Sequence, residues 1–197
     1  HEPGELAVYC NDGFTLVELL VRALTGLSFP DFVQREIFSP LGMDLSGYAL
    51  SYAAEGSFVH PYFNGQRMPQ EMAACFATGG VLTTPADMLK LARLLLDEGM
   101  YEGRRIVSAA SVREAGISQD PRVRINLTPD LHKGLGWDTV QQPALHAAGL
   151  RAWRKGGNTD FFAAEFVVLP EARLAVMIAG CGQDYGPIQL ADGLLLR

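Results

Sequence analysis

The chain has 197 residues, 48% of them hydrophobic, enough to bury a core as one domain or as parts of two lobes. Its net charge is −6 with a pI near 5.2 and no lysine/arginine cluster, which argues against tracking a nucleic-acid backbone, since nothing would neutralise a row of phosphates. No apolar run reaches membrane-span length, the opening H-E-P-G-E-L lacks the basic and apolar regions of a secretory signal, and Cys10, Cys75 and Cys181 lack the spacing of a disulfide framework or zinc site.

In chain order, D-G-F-T-L-V-E-L-L-V-R-A-L-T (residues 12–25) has helical apolar spacing and stops at Gly26, a residue suited to a helix C-terminus. Ser28, Pro30 and Asp31 open a second predicted helix through Ile37, closed by P-L-G-M. Residues 44–76 hold no sustained period and read mostly as loop. Thr84-Pro85-Ala86-Asp87 is a helix start: a threonine cap, proline at the first position and an acid at the positive dipole end. That helix is expected to run to Glu98 and end at Gly99, with a short one at 108–115. Strands are predicted at Leu135–Val140, Phe161–Leu169 and Leu174–Gly180, the last two joined by the turn P-E-A-R, and a final helix begins at Pro187. Helices first and antiparallel strands later predict an α+β fold: a mostly helical lobe over residues 1–130 and a sheet lobe over 131–197, interdependent as one unit.

Two short stretches carry chemistry. Tyr9-Cys10-Asn11 places a phenol and an amide two residues apart ahead of a helix. Trp153-Arg154-Lys155-Gly156-Gly157-Asn158 places a cation before two glycines and ahead of a predicted hairpin, so the strand edge is clear of side chains and a substrate can lie along it. Taken singly, each has a plainer reading. Tyr9 is a packed tyrosine, Asn11 a turn or cap residue, and Lys155 a solvated lysine at a turn. Gly79-Gly80 reads as a structural turn, since no Lys-Ser/Thr follows to make a phosphate cradle. Asp87 reads as a helix-start acid, and Trp137 and Trp153 as packing residues. His60, His132 and His146 lack metal-ligand spacing, so neither a metal nor a cofactor is expected.

The ordered set is more specific than its pieces. P-G-E-L-A-V-Y-C-N, the L-V-E-L-L-V-R-A-L-T-G helix, F-S-P-L-G-M, A-T-G-G-V-L-T-T-P-A-D-M-L-K-L, Y-E-G-R-R-I-V-S, G-L-G-W and K-G-G-N-T follow one another across nearly the whole chain. In this order they resemble the class C β-lactamase, D-alanyl-D-alanine peptidase and esterase superfamily of serine hydrolases. The resemblance implies a β-lactamase/transpeptidase-like fold, with an antiparallel sheet flanked by helices beside a helical lobe. Tyr-x-Asn matches the superfamily's second active-site motif and Lys-Gly-Gly its third.

The first motif, Ser-x-x-Lys, is absent: no serine here has a lysine three residues on. The resemblance therefore implies a preceding segment of about a hundred residues that carries the nucleophile. By the same resemblance, Tyr9 would help activate that serine, Lys155 would supply positive charge and bind an anionic group, and the Asn158 N–H would form half of an oxyanion hole. Asn11, Gly156 and Gly157 would contact a small acyl, ester or peptide-like substrate. The implied function is the C-terminal part of a serine hydrolase acting through an acyl-enzyme, incomplete by itself. The rivals are a non-catalytic ligand-binding relative and an isolated fragment. N-T-D-F-F replaces the small residues that often follow the third motif, and Asp160 there disfavours anionic substrates while Lys155 favours them.

Overall fold

A computed structural model describes residues 2–49, 58–73, 75–127, 132–181 and 186–197. The chain enters through β1 (Leu6–Ala7) and passes Cys10 into α1 (Asn11–Thr25), which ends where Gly26 turns to φ 73° and its N–H reaches Arg22 O at 2.9 Å. The Ser28 hydroxyl caps α2 (Phe29–Val33) by accepting from Asp31 N–H at 3.2 Å. The predicted stop at Ile37 is overrun: a π turn at Gln34–Phe38 carries the helix into α3 (Ser39–Leu41). Pro40 has no N–H to give, and the wider turn, in which Ser39 N–H bonds Gln34 O, absorbs it without breaking the helix.

Within the predicted loop, residues 50–57 and 74 lie outside the described residues. The rest contains three two-residue strands, β2 (Gly47–Tyr48), β3 (Tyr62–Phe63) and β4 (Gln66–Arg67). A short α4 (Phe76–Gly79) and β5 (Val81–Leu82) follow, with β5 pairing to β2. Tyr48 packs its ring among Phe29, Phe38 and Phe76, and burial, with the Glu18 charge adding to it, pushes its hydroxyl up to about 12.

Thr84 caps α5 (Pro85–Leu96), and the chain leaves it through Glu98 and Gly99, both at positive φ. Gly99 is obligatory there, because a Cβ would meet Val107 O at 2.1 Å. The small hairpin β6 (Met100–Tyr101) and β7 (Arg104–Arg105) leads to α6 (Ala109–Ala115), capped by Ser108, and then to β8 (Ile125–Asn126), which pairs in parallel with β1. The strand predicted at Leu135–Val140 does not form; only an isolated bridge, Thr139 to Arg154, occurs there. Gly136 sits at φ 81°, and the local N–H groups go to irregular partners, Leu135 to Ala115 O and Val140 to His132 O. A backbone committed to such loop partners cannot also present a ladder.

After α7 (Pro143–Ala147), three strands form the main sheet: β9 (Trp153–Asn158), β10 (Phe162–Leu169) and β11 (Leu174–Cys181), in the order β11-β10-β9 and antiparallel throughout. The helix α8 (Pro187–Leu195) closes the chain. Alternation divides the sheet. Trp153, Phe166 and Val168 face Ala92 of α5 and Val112 of α6. Val167 and Leu169 face Leu145 of α7 and Ala191 of α8 on the other side. Helices from both halves of the sequence therefore share the sheet's cores. A third cluster, Phe38, Leu41, Met43, Leu94 and Tyr101, joins α5 to the π-turn helix.

Asp87 holds that junction. Its carboxylate accepts from Leu45 N–H at 2.9 Å, Ser46 Oγ at 2.9 Å and Lys90 Nζ at 2.8 Å. Burial works to raise its pKa, but the bonds from Lys90, Ser46 and Leu45 outweigh it and hold the carboxyl below the usual aspartate range. A depressed native pKa stabilises the fold above the unfolded value of about 3.9 and is lost as pH falls through the native value. Asp87→Asn is expected to lower Tm at neutral pH, with the difference from wild type shrinking below about pH 4; thermal melts across that range measure it.

Candidate active site

Strand β9 is built to expose one edge. Its inner edge pairs with β10 in the register Lys155 to Phe166 and Gly157 to Ala164. On its outer edge, Arg154 donates its N–H to Thr139 O at 2.8 Å and accepts from Asp138 N–H at 2.9 Å. Two residues on, Gly156 also turns its N–H outwards, to Asp138 Oδ2 at 2.7 Å. The same alternation turns the N–H and C=O of Asn158 to that edge, where no described residue is bonded to them. The Thr159 N–H then goes to Phe162 O at 2.9 Å, closing the hairpin to β10. Lys155, Gly156, Gly157 and Asn158 thus stand in one strand, with Gly157 and Asn158 exposed.

The Lys155 ammonium folds back over the outer edge. It meets Asp138 Oδ1 at 3.1 Å and Oδ2 at 3.3 Å, and donates to Gly156 O. Asp138 therefore binds a cation and a backbone N–H with one carboxylate. In the sequence Asp138 lies within the predicted strand Leu135–Val140, where nothing in the strand pattern marks it as a site residue. The signal that could have found it is an acid directly after Trp137 in the G-L-G-W block, close in space only once β9 has paired.

Beneath the edge lies a second charge pair that sequence reasoning missed. Arg154 Nε bonds Glu165 Oε1, and a second nitrogen reaches Oε2 at 3.1 Å, while the Glu165 side chain is 1% exposed. Burial pushes the Glu165 carboxyl up; Arg154 opposes that rise, and Asp138 and Asp192 add to it. Asp192 of α8 in turn accepts from Gln142 at 2.9 Å. A Cβ on Gly156 would meet Glu165 Oε2 at 3.3 Å and Asp138 Oδ2 at 3.5 Å, so the glycine gives both carboxylates their room. A lone acid inside F-F-A-A-E-F-V-V was a visible sign of a buried partner, but the register that supplies Arg154 was not visible.

The other motif stands at the opening of α1. Tyr9 is 66% exposed and makes no hydrogen bond among the described residues, so it is not the packed tyrosine of the plainer reading. Asn11 is the first helical residue, and its carbonyl accepts from Thr78 Oγ1 at 3.1 Å. It is not the cap; Cys10 holds that position without a side-chain bond. Glu18 adds a second tie by accepting from Ala77 N–H at 2.6 Å. No hydrogen bond, ion pair or ring contact among the described residues joins Tyr9 or Asn11 to β9. The structure gathers the third-motif residues on one strand and leaves the second-motif residues on a separate element.

At the end of β9, Thr159 Oγ1 donates to Glu71, and Phe63 packs edge-on to Phe161 at 6.3 Å, so the β3–β4 hairpin stands beside the β9–β10 turn. All three cysteines are free thiols, Cys10 and Cys75 exposed. No group of His, Cys, Asp and Glu among the described residues is arranged for a metal, and none of the described helices is long and apolar enough to cross a membrane.

The antiparallel sheet backed by helices recurs in known proteins similar to this chain. A sequence profile described as Beta-lactamase matches residues 1–186, and the chain belongs to that family. Its folded neighbours include the octameric penicillin-binding protein homologue from Pyrococcus abyssi, at TM-score 0.77 and 20% identity over 99% of this chain and 43% of that one. Among sequence relatives, "Penicillin-binding protein 4" of Amycolatopsis lactamdurans is 31% identical over 121 residues, 55% of this chain and 31% of its own length. "Penicillin-binding protein 4*" of Bacillus subtilis (strain 168) is 24% identical over 159 residues, 72% of this chain and 33% of its own length. The chain thus spans about a third of the sequence relatives it matches.

The buried pair is expected to be costly to break and cheap to replace. Arg154→Met strands a buried carboxylate and should destabilise the fold by about 3–5 kcal/mol, whereas Arg154→Met with Glu165→Leu should recover most of that loss. Urea denaturation of both variants measures the difference.

Proposed function

We propose that this chain is the C-terminal part of a serine hydrolase that acts on an ester or amide through an acyl-enzyme, with the nucleophile in a Ser-x-x-Lys segment outside these residues. The observation that carries the reading is the outer edge of β9: an outward-facing Asn158 N–H, without a partner among the described residues, directly after Lys155-Gly156-Gly157. A carbonyl laid along this edge would find one donor for its developing oxyanion here, and the serine's own N–H would supply the other. The outward C=O of Asn158 would accept an N–H from a peptide-like substrate, as a neighbouring strand would.

Tyr9 supports the same reading as an exposed phenol at the head of α1, close to the reacting serine only once the nucleophile helix is in place. Exposed apolar residues on α1 are consistent with such a covering segment: Leu16, Leu19, Leu20 and Leu24 all stand in solvent, Leu24 at 84% exposure, and none of this helix's residues is buried. The outer edge of β11 likewise has no strand partner among the described residues. Asn11 would hold the substrate amide, and the two glycines would let the chain of the substrate approach the strand.

The test is covalent labelling. A protein that carries this chain after a Ser-x-x-Lys segment should gain one fluorophosphonate adduct on that serine by intact-mass analysis. Tyr9→Phe and Lys155→Ala should each slow labelling and ester turnover by about 100-fold or more with the fold intact. Labelling absent from the unmutated protein would favour the non-catalytic binder, and unchanged rates in both variants would remove Tyr9 and Lys155 from the mechanism.

A further inference from the structure

Strand β9 turns three backbone N–H groups to its outer edge, and two are already taken. That of Arg154 is held by Thr139 O and that of Gly156 by Asp138 Oδ2 at 2.7 Å. The Lys155 ammonium lies over the same spot, 3.1 Å from Asp138 Oδ1. An ammonium and a backbone N–H converging on one carboxylate is the arrangement that would recognise the carboxylate of a ligand. Here the chain supplies the carboxylate itself. We infer that Asp138 is a specificity-determining residue: it occupies the anion site formed by Lys155 and Gly156, and so restricts the cleft edge to acyl groups that carry no negative charge at this point.

Three observations support this beyond the contact itself. Asp138 is not on a free arm, because its own N–H is bonded to Arg154 O at 2.9 Å, and a tethered carboxylate outcompetes one that must arrive from solution. Lys155 has little left to offer: of its three N–H groups, Asp138 and Gly156 O account for two. No second cation pairs with Asp138 among the described residues. Arg154 is committed to Glu165 on the opposite face, while Glu71 lies against Thr159 and Asp160 stands at the hairpin tip, neither in an ion pair among the described residues. An anionic group brought to this edge would meet Asp138, Asp160 and Glu71 with the Lys155 ammonium already paired.

The inference rests on the reading of β9 as the substrate-bearing edge, but its test needs no turnover. In the 15N-labelled protein, acetate is the probe and acetamide its neutral control. Wild-type amide shifts at Gly156 and Asn158 should stay fixed as acetate is added. In Asp138→Asn, acetate should move the Gly156 amide saturably, at least about tenfold more tightly than any binding to wild type, and Lys155→Met in that background should abolish the effect. Binding of acetate to wild type as tight as to the variant, or no binding to a folded variant, would overturn the proposal. Should Asp138→Asn fail to fold, amide exchange in the unmutated protein decides: the Gly156 N–H protected and the Asn158 N–H fast supports it, and equal rates overturn it. A failed hydrolase reading would show as absent serine labelling and leave these shifts unchanged.

Discussion

The site depends on the asymmetry of one strand. β9 has β10 on its inner edge, and on its outer edge, among the described residues, a bridge to Thr139 and the side chain of Asp138. Because successive residues of a strand point their backbone groups to opposite edges, fixing Arg154 against Thr139 also fixes the direction of Gly156 and Asn158. An outward N–H at Asn158 is thus a consequence of register, set several ångströms away by buried residues. The failed strand at Leu135–Val140 belongs to the same arrangement: a full strand there would have covered the edge that the bridge leaves open.

Register is in turn held by packing and charge acting together. Trp153, Phe166 and Val168 lock one face of the sheet against α5 and α6, and Val167 and Leu169 lock the other against α7 and α8. A slip by one residue would exchange these sets and drive Arg154 and Glu165 into the α5 side without each other's geometry. The Arg154–Glu165 pair adds little net stability compared with apolar residues of equal size, but it penalises wrong registers, in which a buried charge would be left alone. Gly156 fits between the two carboxylates of Asp138 and Glu165, so the buried pair and the edge pair are mechanically joined.

Charge at the edge also bears on a conflict present in the residues themselves. Lys155 favours anionic ligands and Asp160 disfavours them, and the sequence offers no way to weigh one against the other. In space, Lys155 is already paired with Asp138, while Asp160 has no cation beside it among the described residues. The balance at the strand end falls on the acidic side. The apolar face of α1 is exposed, the outer edge of β11 has no strand partner among the described residues, and the chain spans about a third of the sequence relatives it matches.

Local chemistry made much of this fold legible. The helix opened at Ser28, the Thr84 cap, the short helix after Ser108, the stop at Gly26 and the β10–β11 hairpin all form as read, because each is decided by a few neighbouring residues. The π turn into α3 and the missing strand before β9 were not legible: a local five-residue turn, Ser39 N–H to Gln34 O, absorbs Pro40, while the Leu135 and Val140 N–H groups go to Ala115 O and His132 O instead of a ladder. The ordered motifs identified the family and singled out Tyr9, Asn11 and Lys155 through Asn158. What only the tertiary structure decided is which way each of those residues faces and what already occupies it. Asp138 lies 17 positions before Lys155, and Glu165 11 positions after Arg154. Contacts across such gaps arise from strand register, which depends on packing over the whole sheet and not on the few residues around either partner.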